Sequence, residues 1–221
     1  MKLVLFGATG PTGIQLLEQS LDGGHEIVAI VRNSSKIPLR LSKNTSLSVV
    51  TADIFDPATF SSHIAGCDVA ISALGVTAFK DFWNTTLYSA SVVPIVEGVK
   101  AAGVRQFVVI SSWCTANDGS NPFYIEWIVK PLVLGAALRD IAQMENWIER
   151  NVPANDFTYT VVRAPGLTNG RATQAEFKVD IGANWVKTAS SHFISRADLA
   201  RFILRNFNNP DYTNKIIAIA V

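Results

Sequence analysis

A short apolar run ending in three regularly spaced glycines constrains this chain more than any other feature. Lys2-Leu3-Val4-Leu5-Phe6 leads straight into Gly7-Ala8-Thr9-Gly10-Pro11-Thr12-Gly13, and the amphipathic stretch from Ile14 to Leu21 follows. The order is strand, glycine turn, helix. A strand that reverses sharply into a helix, with its backbone close to a phosphate, leaves no room for Cβ atoms in the turn. Free N–H groups of the first helical turn and the positive end of the helix dipole favour an anion there. Pro11 suits the first helical position, where no donor is needed. Gly7, Thr9, Gly10, Pro11, Thr12 and Gly13 are therefore the expected cradle of a dinucleotide diphosphate. Their Gly-x-x-Gly-x-x-Gly spacing departs from the GxGxxG of common dehydrogenases.

The next apolar run, Glu26 to Val31, delivers Arg32-Asn33-Ser34-Ser35-Lys36. An NAD-selective site usually carries Asp or Glu about 20 residues past the glycine loop to hold the ribose hydroxyls, whereas an Arg nearby accommodates a 2′-phosphate. No acid stands at this strand end. Arg32, with Ser34, Ser35 and Lys36 as further donors, points to NADP(H); the alternative is a solvated loop arginine.

Strand-like runs then alternate with helical ones, the signature of a parallel sheet with crossover helices. Leu47 to Thr51 reads as strand, Pro57 to Ala65 as helix, Asp68 to Ala73 as strand, and Phe82 to Ala102 as a long helix ending at Gly103. Gln106 to Ser111 is the next strand. Glu126 to Arg150 is mostly helical with a break near Lys130-Pro131, and Phe157 to Arg163 is strand. Ser195-Arg196-Ala197-Asp198 has capping-box form before a helix from Leu199 to Asn206. Lys215 to Ala220 is the last strand.

In an open parallel sheet, ligands lie beyond the carboxyl ends of the strands. Those ends add Asp53, Ile54, Leu74, Gly75 and Ser111 to the expected cofactor contacts. Asp53 is positioned to accept from an adenine amino group, or else is a loop acid before the Pro57 segment. Ser111 is the expected catalytic residue, with Ser112 in reserve; the alternative for both is a serine pair capping a strand end. Trp113, Pro165, Gly166 and Leu167 are the expected substrate contacts, within segments of about 113–140 and 165–195. Phe123, Tyr124, Trp127 and Trp185 are available to an aromatic wall or to the core. Arg163 is expected to pair with a buried carboxylate such as Glu145. His192 is a weaker candidate for the site.

At 221 residues, 48% of them hydrophobic, the chain fits one α/β domain with a sizeable core. A net charge of +1, without a basic run, argues against nucleic acid or an anionic membrane as partner. A small molecule is the expected partner. Cys67 and Cys114 lack metal or redox spacing, so neither zinc nor a disulfide is expected. A first strand at the very N-terminus and no uninterrupted apolar span suggest a soluble, cytoplasmic protein.

The glycine loop, the Val31-Arg32 strand end, Asp53-Ile54, Ser111 and Asp198-Leu199-Ala200-Arg201-Phe202-Ile203-Leu204 together resemble the atypical short-chain dehydrogenases/reductases. Within these, the flavin reductase/biliverdin-IXβ reductase group is most similar, with NmrA-like proteins as more distant relatives. The resemblance implies one Rossmann-type α/β domain, a doubly wound parallel sheet with helices on both faces and a small C-terminal substrate-binding portion. It also implies an enzyme, monomeric in type, that passes a hydride from NADPH to a planar, electron-poor acceptor such as a flavin, a quinone or a linear tetrapyrrole. Two departures stand out. No Tyr-x-x-x-Lys pair follows Ser111, which argues against alcohol–ketone interconversion, and Gly166 occupies the position where the flavin/biliverdin reductases carry a His, which argues against a tetrapyrrole. Two other readings remain open: an NmrA-like dinucleotide-binding regulator without turnover, and a short-chain epimerase or dehydratase.

Overall fold

Alternate residues of the first strand go to opposite faces of one sheet. Leu3 and Leu5 enter one apolar cluster, Val4 and Phe6 another, so the strand is buried on both sides as a central parallel strand must be. The computed structural model describes residues 1–221 except 77–82, 117–118, 120, 122–126, 128–134 and 153–156. Chain order is β1 (Lys2–Phe6), α1 (Pro11–Asp22), β2 (Glu26–Val31), the one-turn α2 (Leu39–Ser42), β3 (Leu47–Thr51), β4 (Val69–Ser72), α3 (Leu87–Ala101) and β5 (Gln106–Ser112). It continues with α4 (Gly135–Asn151), β6 (Thr158–Ala164), β7 (Gly166–Thr168), β8 (Lys178–Ile181), β9 (Phe193–Ser195), α5 (Arg196–Asn206) and β10 (Lys215–Ala220).

The main sheet has eight strands in the order β3-β2-β1-β4-β5-β6-β10-β8. All pairings are parallel except that of β8 with β10. This is the expected doubly wound sheet, and its order reverses on either side of β1, where a crevice opens above the strand ends. Helices α1 and α5 cover one face through Leu16, Leu17, Leu199, Phe202 and Ile203. Helices α3 and α4 cover the other through Val92, Ile95, Val96, Ile141, Met144 and Ile148. Strands β7 and β9 form a separate two-stranded parallel pair.

The expected helix from Pro57 to Ala65 is replaced by two 3-10 turns, Pro57–Thr59 and Ser61–Ile64. Phe60 is fully buried between them, its ring edge-on to Phe6 at 5.4 Å, and that inward turn ends the helix after one cycle. Helix α3 starts at Leu87 rather than Phe82, which lies outside the described residues. Its first turn is capped from another helix: Asp140 on α4 accepts from the backbone N–H of Tyr88 at 2.9 Å and of Ser89 at 3.2 Å, and from the Ser89 hydroxyl.

Helix α5 is closed by the expected cap. The Ser195 hydroxyl accepts from the Asp198 N–H at 2.9 Å. Burial alone would raise the Asp198 carboxyl, but hydrogen bonds from the Thr173 N–H, Ser195 and Arg201 outweigh it and hold the group below its ordinary range. No helix among the described residues is long and apolar enough to cross a membrane.

Candidate functional site

The ends of β4, β5 and β6 and the first turn of α1 surround a cleft of about 470 Å³. Gly10, Pro11 and Thr12 line it from the helix start. The ends of β4 and β5 contribute Leu74, Gly75, Ser111 and Ser112, and the segment after β6 contributes Pro165, Gly166 and Leu167. Ala137, Leu138 and Ile141 of α4 add an apolar wall. Sequence positions spread over more than 150 residues thus meet because their strands share one sheet edge.

The glycine turn leaves no room for side chains at Gly7 and Gly13. Gly7 has φ of +77°, and a Cβ there would lie 2.6 Å from the Ala73 carbonyl. At Gly13 a Cβ would stand 2.2 Å from the Gly7 carbonyl oxygen, which also accepts from the Gly10 N–H at 3.0 Å. Gly10 is the N-cap of α1 and supplies no side-chain cap, so the first-turn N–H groups are left for a ligand. This cradle, which a Cβ would fill, fits the diphosphate of a dinucleotide. Thr9 lies in the same turn, half-buried.

Ser111 and Arg163 are register partners on β5 and β6 and face α4. There Glu145 sits on the buried stripe formed by Ile141, Met144 and Ile148. Its Oε1 accepts from Arg163 Nε at 3.0 Å, and its Oε2 from Arg163 Nη2 at 2.9 Å and Thr115 Oγ1 at 2.8 Å. Arg163 Nη1 donates to the Ala183 carbonyl at 3.0 Å. The Arg163–Glu145 pair expected from sequence is therefore formed, forked and buried. Ser111 donates its one hydroxyl proton to Glu145 Oε1, so what it can offer a ligand is an oxygen lone pair.

Other expected contacts stand differently. Arg32 is exposed just past the end of β2, two residues beyond the Phe6–Ile30 pairing. Asp53 closes a local turn by accepting from the Phe55 N–H at 3.0 Å, and Ile54 buries its side chain in the α3–α4 cluster. These three do not line the cleft. The structure places Trp113 beyond β5, where its N–H pairs with the Ala164 carbonyl at 2.9 Å. Its ring is buried against Val186, Ala218 and Ala220 and beside Trp185 and His192, rather than in the cleft wall. The stretch from 113 to 140 is described only in part; Phe123 and Tyr124 lie outside the described residues.

Tyr88 and Arg196 are among the lining residues that escaped the sequence reading. Burial pushes the Tyr88 phenol above its ordinary range; the Val76 N–H acts against this and the Asp140 carboxylate adds to it. The ring therefore stays protonated near neutral pH. A tyrosine on the apolar stripe of α3 and an arginine inside a capping box both read as structural residues in one dimension.

A parallel sheet of this order, with a glycine cradle at the start of its first helix, defines the Rossmann class of dinucleotide-binding proteins. Residues 7–210 match the family described as NAD(P)H-binding, and the chain belongs to that family. It is 30% identical over 179 residues to an uncharacterized chloroplastic protein of Arabidopsis thaliana, covering 78% of this chain and 61% of that one. The chain spans about six-tenths of the length of the first curated relatives it matches. Among solved structures, it resembles a short-chain dehydrogenase/reductase of Veillonella parvula in complex with NADP, with a TM-score of 0.79 and 15% identity over 100% of this chain and 94% of that one. A protein of Streptococcus pneumoniae, provisionally described as an NADH-flavin reductase, aligns with a TM-score of 0.74 and 18% identity over 100% and 99% of the two chains.

Proposed function

We propose that the protein is an NADPH-dependent reductase of planar, electron-poor acceptors, flavins first and quinones next. The observation that carries this reading is the composition of the cleft: a phosphate-binding turn at Gly10–Thr12 and an apolar wall of Ala137, Leu138, Ile141 and Leu167 share one volume. Its size lies within the roughly 300–1,000 Å³ typical of small-molecule sites.

Bound NADPH would supply the hydride, the electronically demanding part of the chemistry. The chain's residues then have three tasks. The glycine turn and the first-turn N–H groups of α1 hold the phosphates. Arg32, exposed just past the end of β2, meets the 2′-phosphate. Ser111, its proton committed to Glu145, accepts a hydrogen bond and so orients a nicotinamide carboxamide rather than protonating an acceptor. The apolar wall packs against a flat ring, and protonation of the reduced acceptor falls to solvent.

The test is consumption of reduced cofactor by the purified protein, with NADPH and NADH supplied separately and FMN, riboflavin or a quinone as acceptor. NADPH oxidation that depends on a flavin and exceeds NADH oxidation is the expected result. If NADPH binds and no acceptor drains it, a dinucleotide-binding regulator without turnover becomes the better reading. Arg32→Ala is expected to weaken NADPH by about 10-fold or more, the scale of a lost hydrogen bond to a charged group, and to leave NADH within twofold or so. Equal losses for the two cofactors would remove the 2′-phosphate role.

A further inference from the structure

The described lining of the cleft carries one formally charged side chain, Arg196. Its Nη1 donates to Asn169 Oδ1 at 2.8 Å and to the Leu167 carbonyl at 3.4 Å. Both acceptors are neutral, so they orient the guanidinium without cancelling its charge. Among the described residues no carboxylate pairs with it. It has no capping duty either, because Ser195 and Asp198 close the helix start. A half-buried cation held in this way is at its most favourable when an anion enters the cleft.

The position of Arg196 says which anion. Gln19 of α1 donates to the Ala197 carbonyl at 2.9 Å, which ties the beginning of α5 to α1. Pro11 and Thr12, at the positive end of α1, line the same cleft as the arginine. Two independent positive features, a helix start and a guanidinium, thus face one volume, and nothing in its described lining opposes them.

We infer that Arg196 clamps the dinucleotide diphosphate from the α5 side, complementing the N–H groups of the glycine turn. The planar fork of an arginine suits two phosphate oxygens at once. Asn169 is the positioning residue that keeps the fork aimed. The inference rests on dinucleotide binding at this cleft, and neither on turnover nor on preference between NADPH and NADH.

The test is the dissociation constant of NADPH and of NADH for the full chain and for Arg196→Gln, measured by calorimetry, with the cofactor-induced rise in melting temperature as a second readout. Both dinucleotides carry the diphosphate, so both are expected to weaken by the same factor, about 10- to 100-fold for a lost charge-assisted contact. Arg196→Lys, which keeps the charge but not the fork, is expected to fall between the two, and carries the test if the Gln variant does not fold. Arg32→Ala run alongside changes the NADPH-to-NADH ratio, whereas Arg196→Gln leaves that ratio alone; the two assignments therefore fail separately. Unchanged affinity for both dinucleotides overturns the clamp. So does unchanged dinucleotide affinity with a KM that rises for FMN and not for riboflavin, which would give the arginine to an acceptor phosphate.

Discussion

Gly13→Ala is expected to cost the protein its dinucleotide affinity while leaving most of its fold intact. The new methyl would stand 2.2 Å from the Gly7 oxygen and 2.8 Å from the Ala8 Cα, all backbone atoms that have no rotamer to escape into. Gly7 is itself closely packed, since a Cβ there would lie 2.6 Å from the Ala73 carbonyl. The turn must therefore open, carrying the Gly10 and Thr12 region away from the geometry proposed to hold the phosphates. Hydrogen bonds to a charged group contribute about 1.5–3 kcal/mol each, so losing one or two of them is worth about 100-fold, and a loss of that size in NADPH affinity is the predicted outcome. Gly24→Ala is the matched control. Gly24 has φ of +76° but open space around it, so alanine there is expected to cost about 1–2 kcal/mol of stability and nothing in binding. Retained affinity in the Gly13 variant would mean that the turn does not hold the phosphates.

Glu145→Ala is expected to produce the largest loss of stability of any single side-chain removal at the site. Its carboxylate receives the Arg163 fork, the Thr115 hydroxyl and the Ser111 hydroxyl in a place where Glu145 is 3% and Arg163 7% exposed. Removal leaves a buried guanidinium with one described acceptor, the Ala183 carbonyl. Breaking a buried pair from one side typically costs about 3–5 kcal/mol, which corresponds to about 10 °C in melting temperature for a chain of this length. Replacing both partners by apolar residues, Glu145→Leu with Arg163→Met, is expected to recover much of that loss, since no charge is then stranded. A single variant that melts within a degree or two of the parent would show that the pair is not what holds β5, β6 and α4 together.

Much of this architecture is legible in one dimension because burial on both faces of a central strand leaves an unbroken apolar run, as in β1, β2 and β10. The glycine turn, the Arg163–Glu145 pairing and the Ser195 cap were equally readable, each being a local or near-local chemical necessity. What escaped has physical causes. Strands β7 and β9 have three residues each, too few for a period to register, and they exist only because the segments after β6 and before α5 meet. Strand β8 pairs antiparallel on the edge of β10, a choice decided by which edge is open. The segment from Pro57 looks helical up to Phe60, whose burial against Phe6 is a tertiary event. Trp113 was legible as a large aromatic at a strand end, yet the side to which it falls depends on the space beside β10. Arg196 and Tyr88 were hidden because a cap and an apolar stripe already accounted for their presence.

The carboxylate of Asp140 ends on the first-turn amides of a different helix. Tyr88, which it fixes, and Ala137, Leu138 and Ile141, which share its own helix, all face the cleft. Asp140 thereby adds a polar latch to the apolar packing of the two helices that line the site. A shift of α4 would therefore be felt at the start of α3 and at Tyr88.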